Sequence, residues 1–229
     1  MSNLVIGVDC GHTLTGKGTG SQGCGYKEEI LDREVGKKVM DLLKQEGCTV
    51  INCTVDKSDN QLAERVRKAN AQRLDLFVSI HFNACVNDEK GDGRTTGVEC
   101  YVSHTGTKAY DEALRVCNNI SKLGLRNRGV KVDGKLYVTR ETVAPAFLIE
   151  VCFIDDRDDM NIYLKSVDSV AKAIVEGILN KSITGKTETP KNGFYRVVAD
   201  SFKNKENAIA HQEELKKLGI DTFLVYQEV

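Results

Sequence analysis

The run LFVSI at residues 76–80 constrains the fold more than any other feature of this chain. It is apolar without alternation, as expected for a strand covered on both faces, and strands of that kind belong to sheets with helices packed on either side. The rest of the chain supplies such helices. Residues 4–8 form a short apolar run, followed by the Gly-rich segment DCGHTLTGKGTGSQGCG, which reads as a long loop. From Glu28 the period becomes helical, with Leu31, Val35, Val39 and Leu42 on one face up to a stop at Gly47. Residues 49–55 are β-branched and extended, and Leu62, Val66 and Ala69 mark a second helix. Strand 98–102, helix 109–123, a short extended piece at 136–138 and the apolar strand 146–151 follow. Leu164, Val167, Ala171, Ile174 and Ile178 then outline a long amphipathic helix. Strands alternating with helices predict an α/β fold, a mostly parallel twisted sheet flanked by helices.

At Asn180 the composition turns polar, NKSITGKTETPKNG, which reads as a linker over residues 181–193 between a domain at 1–180 and a separate unit at 194–229. That unit has a strand-like GFYRVVADSF, a helix with Ala208, Leu215 and Leu218 on one face, and a strand-like IDTFLVYQEV. A lone β-α-β piece of this size seldom buries enough surface to stay folded. Charge excludes some partners. Lys and Arg number 32 against 33 Asp and Glu, so no global basic field exists to hold nucleic acid or an anionic membrane. The longest apolar runs fall far short of the roughly 20 residues that span a bilayer. The start, MSNLVIGVDCGH, has neither the basic region nor the apolar length of a signal peptide, so synthesis as a cytosolic species is expected. The eight cysteines form no CxxC pair and are read as reduced, mostly buried small hydrophobes, with Cys53, Cys100 and Cys152 inside strands.

Four residues stand out chemically. His12 follows the first apolar strand and His81 ends LFVSI, so both fall at carboxyl ends of strands, the edge where open parallel sheets bind ligands. Glu28 opens the helix after the Gly-rich loop, on the same side. Glu150 lies inside AFLIEVCF, where a carboxylate costs several kcal/mol, as an order of magnitude, unless it is paired, protonated or beside a metal. Two imidazoles and a carboxylate suit zinc and leave a fourth position open for water. Taken singly, either histidine is more often a hydrogen-bonded or surface residue, and Glu28 a charge favoured at a helix N-terminus. The spacing lacks the compact HExxH signature, so the residues alone point no further than a metal hydrolase. His104 and His211 read as solvent-exposed, Asn83 as a tie for the loop after His81, and Arg140 as a partner either of Glu150 and substrate or of a structural salt bridge.

The segments VDCGH, YKEEILDREV, FVSIHFNA and LYVTRETVAPAFLIEVCFIDD, in that order, together with LGLRNRGVK, resemble the zinc-dependent N-acetylmuramoyl-L-alanine amidases over residues 4–180. The resemblance implies zinc held by His12, Glu28 and His81, with Glu150 as the catalytic glutamate. Glu28 rather than Glu29 keeps the family's spacing to Asp32-Arg33. The tail resembles one β-α-β half of the sporulation-related SPOR repeat, which binds cell-wall glycan. The function implied is hydrolysis of the amide between N-acetylmuramic acid and L-alanine in peptidoglycan, in the manner of a phage endolysin or an autolysin. The enzyme would reach the wall after lysis or through a holin-type pore. Two rivals differ in observable ways: a zinc peptidase or carboxypeptidase on a similar fold would release free amino acids, and a non-catalytic wall-binding protein would have incomplete metal ligands. Because a full SPOR unit has two halves and this chain has one, a homodimer burying Phe194, Leu224 and Tyr226 is also expected.

Overall fold

The computed structural model describes residues 3–184, 202–220 and 222. The chain forms two compact units, residues 1–187 and 188–229. In chain order the first contains β1 (Val5–Cys10), the short pair β2 (Gln22–Gly23) and β3 (Tyr26–Lys27), α1 (Glu28–Gln45), β4 (Thr49–Asn52), α2 (Gln61–Asn70) and β5 (Leu76–Asn83). It continues through β6 (Val98–Val102), α3 (Lys108–Ser121), β7 (Asn127–Val132), α4 (Tyr137–Glu141), β8 (Ala146–Phe153) and α5 (Arg157–Leu179).

Six strands make one sheet in the order β4-β1-β5-β8-β6-β7. Every neighbouring pair is parallel except β8 with β6, so β6 and β7 run against the other four. The sheet is therefore mostly parallel and flanked by helices, as the alternation predicts. Its two faces are covered unequally. On one face Ile6, Val8, Val78, Ile80, Phe147, Ile149, Cys100 and Val102 pack under α1, α3 and α5 in the main core. On the other, Phe77, Ala146 and Leu148 pack with Val66 and Ala69 of α2 and Val138 of α4 in a much smaller cluster. Register places Asp9, Ser79 and Leu148 side by side on this second face, then His81 beside Glu150 and Glu150 beside Glu99. The short helices α2 and α4 cover its middle, and polar residues take over beyond Leu148.

Several details differ from the sequence reading. Residues 136–138 open the one-turn helix α4, where Leu136 accepts from Arg140 N at 3.0 Å and from Thr139 Oγ1 at 3.1 Å. Val138 thereby turns into the small cluster. Strand β7 departs from the apolar pattern of the other strands because NRGVKV carries two cations and a glycine in six residues, the composition of a charged edge strand. In α1 the buried register is Leu31, Val35, Val39 and Leu43, a strict four-residue spacing, and Leu42 is only partly covered. Leu164 is 38% exposed, because α5 breaks its helical phase at Ser166, whose hydroxyl bonds back to the Ile162 carbonyl. Six of the eight thiols are buried, and Cys85 is exposed.

In the second unit the described part is α6 (Lys205–Lys217), capped by Asn204, whose side chain accepts from Glu206 N and Asn207 N. Ala208 and Leu215 are partly covered, and Leu218 is 74% exposed. Most of the strand-like stretches on either side, including Phe194, Leu224 and Tyr226, lies outside the described residues. No helix among the described residues is long and apolar enough to cross a membrane.

Candidate metal centre

At the carboxyl ends of β1 and β5 the structure brings His12, Glu28 and His81 together. Glu28 Oε1 lies 2.9 Å from His12 Nε2 and 3.1 Å from His81 Nδ1, and the two imidazoles stand edge to face with centroids 4.8 Å apart. One ligand atom from each residue falls within 4.8 Å of the others. A tetrahedral zinc with bonds of about 2.0–2.1 Å keeps its ligand atoms roughly 3.3 Å apart. The donor set fits the ion in chemistry and spacing.

Local structure holds each ligand. His12 has φ +55°, in the left-handed region that few non-glycine residues occupy. Its carbonyl accepts from Arg33 at 3.0 Å and from Arg65, while its Nδ1 faces the Gly18 carbonyl at 3.1 Å and leaves Nε2 for the site. Arg65 is itself buried and paired with Asp9, which also accepts from Ser79 Oγ at 2.8 Å. Glu28 is fixed by the Ser21 N–H at 2.8 Å on Oε2 and the Phe82 N–H at 3.2 Å on Oε1. Two glycines leave room for the cluster: a Cβ on Gly11 would run into the His81 ring, and one on Gly20 would lie 2.7 Å from Glu28 Cβ. Glu29 points instead to the Gly20 N–H at 3.2 Å.

Electrostatics separates the carboxylates. Burial raises the Glu28 pKa, but hydrogen bonds and charge from His12 and His81 outweigh it and hold the group well below the usual range. Burial opposes charging of His12, yet Glu28 and the Gly18 carbonyl shift it upward overall. Glu150, the cross-strand neighbour of His81, is pushed well above the carboxylate range by burial and then by the charges of Glu28 and Glu99. Its Oε2 is buried and has no hydrogen-bond partner among the described residues. A buried carboxylate whose affinity for a proton is raised in this way is suited to take up and pass on a proton in acid–base catalysis. Asp32, one turn after Glu28, is fully buried with neither oxygen hydrogen-bonded among the described residues, and burial followed by the charges of Glu28 and Glu150 raises it as well.

A cavity of about 280 Å³ opens beside the ligands, lined by His12, His81, Gln61, Arg65, Tyr137 and Leu148. A larger hollow of about 670 Å³ near Arg94, Arg126 and Asp158 touches none of the site residues. Asp88, Asp156 and Asp158 also converge, but these carboxylates are engaged, Asp156 in capping α5 and in accepting from Thr96, and Asp158 in accepting from Gly93 N at 2.7 Å.

The remaining residues singled out in the sequence fall elsewhere. His104 is exposed, and His211 is half-buried, 3.5 Å from Glu214. Arg140 pairs with Glu141 at 2.6 Å and does not meet Glu150. Asn83 accepts from Ala84 N and donates to Glu99 at 2.8 Å. Sequence reasoning missed Asp9, Asp32, Arg65 and Glu99. The signal for Glu99 was present in VECYV, a carboxylate inside an apolar strand as at Glu150.

Residues 6–180 match the family described as N-acetylmuramoyl-L-alanine amidase, and residues 168–226 match the SPOR domain. An uncharacterised 38.4 kDa protein of Clostridium perfringens is 36% identical over 189 residues, 79% of this chain and 53% of that protein. The chain thus spans about half the length of that relative. The endolysin of Bacillus phage SPP1 is 33% identical over 216 residues, covering 86% of this chain and 76% of its own. Among solved structures, the catalytic domain of the CD27L endolysin targeting Clostridia difficile superposes with a TM-score of 0.69 at 28% identity, over 79% of this chain and 99% of that domain.

Proposed function

The chain belongs to the N-acetylmuramoyl-L-alanine amidase family, and from that membership we propose that it is a zinc-dependent peptidoglycan hydrolase cleaving the amide between N-acetylmuramic acid and the L-alanine of the stem peptide. The observation that carries the reading is the convergence of His12, Glu28 and His81, with Glu150 one strand away on the same face. His12, Glu28 and His81 would hold the ion. Zinc, when bound, supplies Lewis acidity toward the scissile carbonyl and lowers the pKa of water. Glu150 would take a proton from the attacking water as the C–O bond forms and return it to the amine nitrogen, which then leaves as the C–N bond breaks. Arg33 and Arg65 hold the His12 backbone, and the Ser21 and Phe82 amides hold Glu28, so both ligands are oriented in advance.

The SPOR-matching tail would hold the enzyme on wall glycan, and pairing of two tails would give a homodimer working from one anchor, as an endolysin or autolysin acting after lysis or passage through a pore. Light scattering on the full chain and on a chain ending at Asn180 tests the pairing: a dimer that turns monomeric on truncation is expected, and a monomeric full chain at tens of micromolar rejects it. Digestion of purified peptidoglycan with and without chelator, followed by mass analysis, tests the reaction. The expected products are intact stem peptides with a free alanine amine, formed only with metal present. Free amino acids in their place would identify a peptidase.

A further inference from the structure

Beyond Glu150 the same sheet face carries a polar cluster that the hydrolysis does not use. Glu99, cross-strand neighbour of Glu150, is 1% exposed and receives four donors. Asn83 Nδ2 at 2.8 Å and Tyr101 Oη at 2.7 Å reach its Oε1, and Arg128 Nε and Lys131 Nζ both reach Oε2. One cation would neutralise one carboxylate, but here there are two. The anion is buried, whereas the side chains of Arg128 and Lys131 remain 28% and 39% exposed. Each cation is braced over an aromatic ring, Arg128 at 5.1 Å from the centre of Phe153 and Lys131 at 5.6 Å from that of Tyr101. Residues 126–140 carry five cations and a single acid, Asp133, so the surplus charge is not cancelled locally in sequence.

We propose that Arg128 and Lys131 form an anion subsite that receives a carboxylate of the stem peptide on the leaving-amine side of the scissile bond. The proposal rests on the amidase reading given above. His81 lies on the β5 side of Glu150 and Glu99 on the β6 side, so this subsite would have the peptide leave the reacting nitrogen over β6 and β7. Adjacent strands lie about 4.8 Å apart, which puts the cations within roughly two strand spacings of Glu150. An extended peptide advances about 3.4 Å per residue, so the carboxylate read is one within the first two or three residues. A neutral peptide would leave the surplus charge facing water.

The test uses the zinc-loaded full chain and two synthetic muramoyl peptides of one sequence, with side-chain and α-carboxylates either free or amidated. The free acid is expected to have a kcat/KM about tenfold higher or more, the size of one charge-assisted hydrogen bond, with the difference in KM and shrinking as salt is raised. Lys131→Gln and Arg128→Gln should each bring the ratio toward one. Should Arg128→Gln fail to fold because it uncovers Glu99, the more exposed Lys131→Gln carries the comparison. Equal hydrolysis of both peptides by the unaltered chain, or a ratio unmoved by Lys131→Gln, overturns the subsite and leaves the amidase reading intact. Hydrolysis of neither peptide overturns both.

Discussion

The two faces of the central sheet are built from alternate residues of the same strands, yet they do different work. Ile149 and Glu150 are neighbours on β8: Ile149 is fully buried under the large helices, and Glu150 stands beside His81 and Glu99 on the thinly covered face. Where three long helices cover the sheet, interior positions are apolar and contribute stability. Where the short α2 and α4 leave it open, charged groups survive because each has partners or a neighbour that shifts its proton affinity. The difference teaches that the thin covering is what makes room for chemistry, and it is open to attack residue by residue.

The largest expected effect comes from Glu150→Gln, which should lower kcat by about 10²–10⁴ and leave zinc content and folding unchanged. A variant within a few-fold of the parent would make Glu150 structural. Ile149→Ala is the mirror case. It should cost about 2–5 kcal/mol in denaturant unfolding, while the surviving folded fraction hydrolyses wall at nearly the parent rate. If instead it loses rate at full stability, the division between faces fails. Gly11→Ala should act between these, because its new Cβ displaces the His81 ring; a loss of about 10–100-fold in zinc affinity is expected by chelator competition, with the apo fold still cooperative.

The smallest effect concerns acid stability. Burial raises Glu99, but Arg128, Lys131 and Tyr101 outweigh it, so the folded carboxyl titrates below its ordinary 4.5. Between that lowered value and 4.5 the unfolded chain binds a proton that the folded chain does not. Stability from this group is therefore complete above 4.5 and is lost as pH falls through the folded value. In Glu99→Gln that part of the acid limb should disappear from pH-dependent unfolding curves; an unchanged limb would mean that the network contributes nothing to it.

Much of this was legible from residue order. The continuous apolar run at LFVSI already required helices on both sides, and a carboxylate within AFLIEVCF already required a partner. His12 follows β1 and His81 lies near the carboxyl end of β5, whereas Glu28 opens α1 and Glu150 lies inside β8. What escaped the reading depends on direction and pairing. The expectation that sites lie at carboxyl strand ends cannot find Glu99, because β6 runs antiparallel to β8 and brings its amino end to that edge. Arg128 follows on β7 for the same reason, since β7 is parallel to β6. Arg65 looked like one more solvated helix charge, and its burial became visible only once Asp9 and the His12 carbonyl were placed against it. Asp32 repeats the helical spacing of the apolar face without being apolar, a pattern that periodicity alone does not interpret.

The central claim is that the thinly covered face, through His12, Glu28 and His81, is the metal centre of this chain. X-ray absorption at the zinc edge of the zinc-loaded protein tests it most directly, because eight cysteines offer an alternative. The account predicts one zinc per chain with nitrogen and oxygen neighbours at about 2.0–2.2 Å, including two imidazoles, and loss of that signal in His81→Ala. Sulfur neighbours at about 2.3 Å, or full zinc occupancy in His81→Ala, would contradict it.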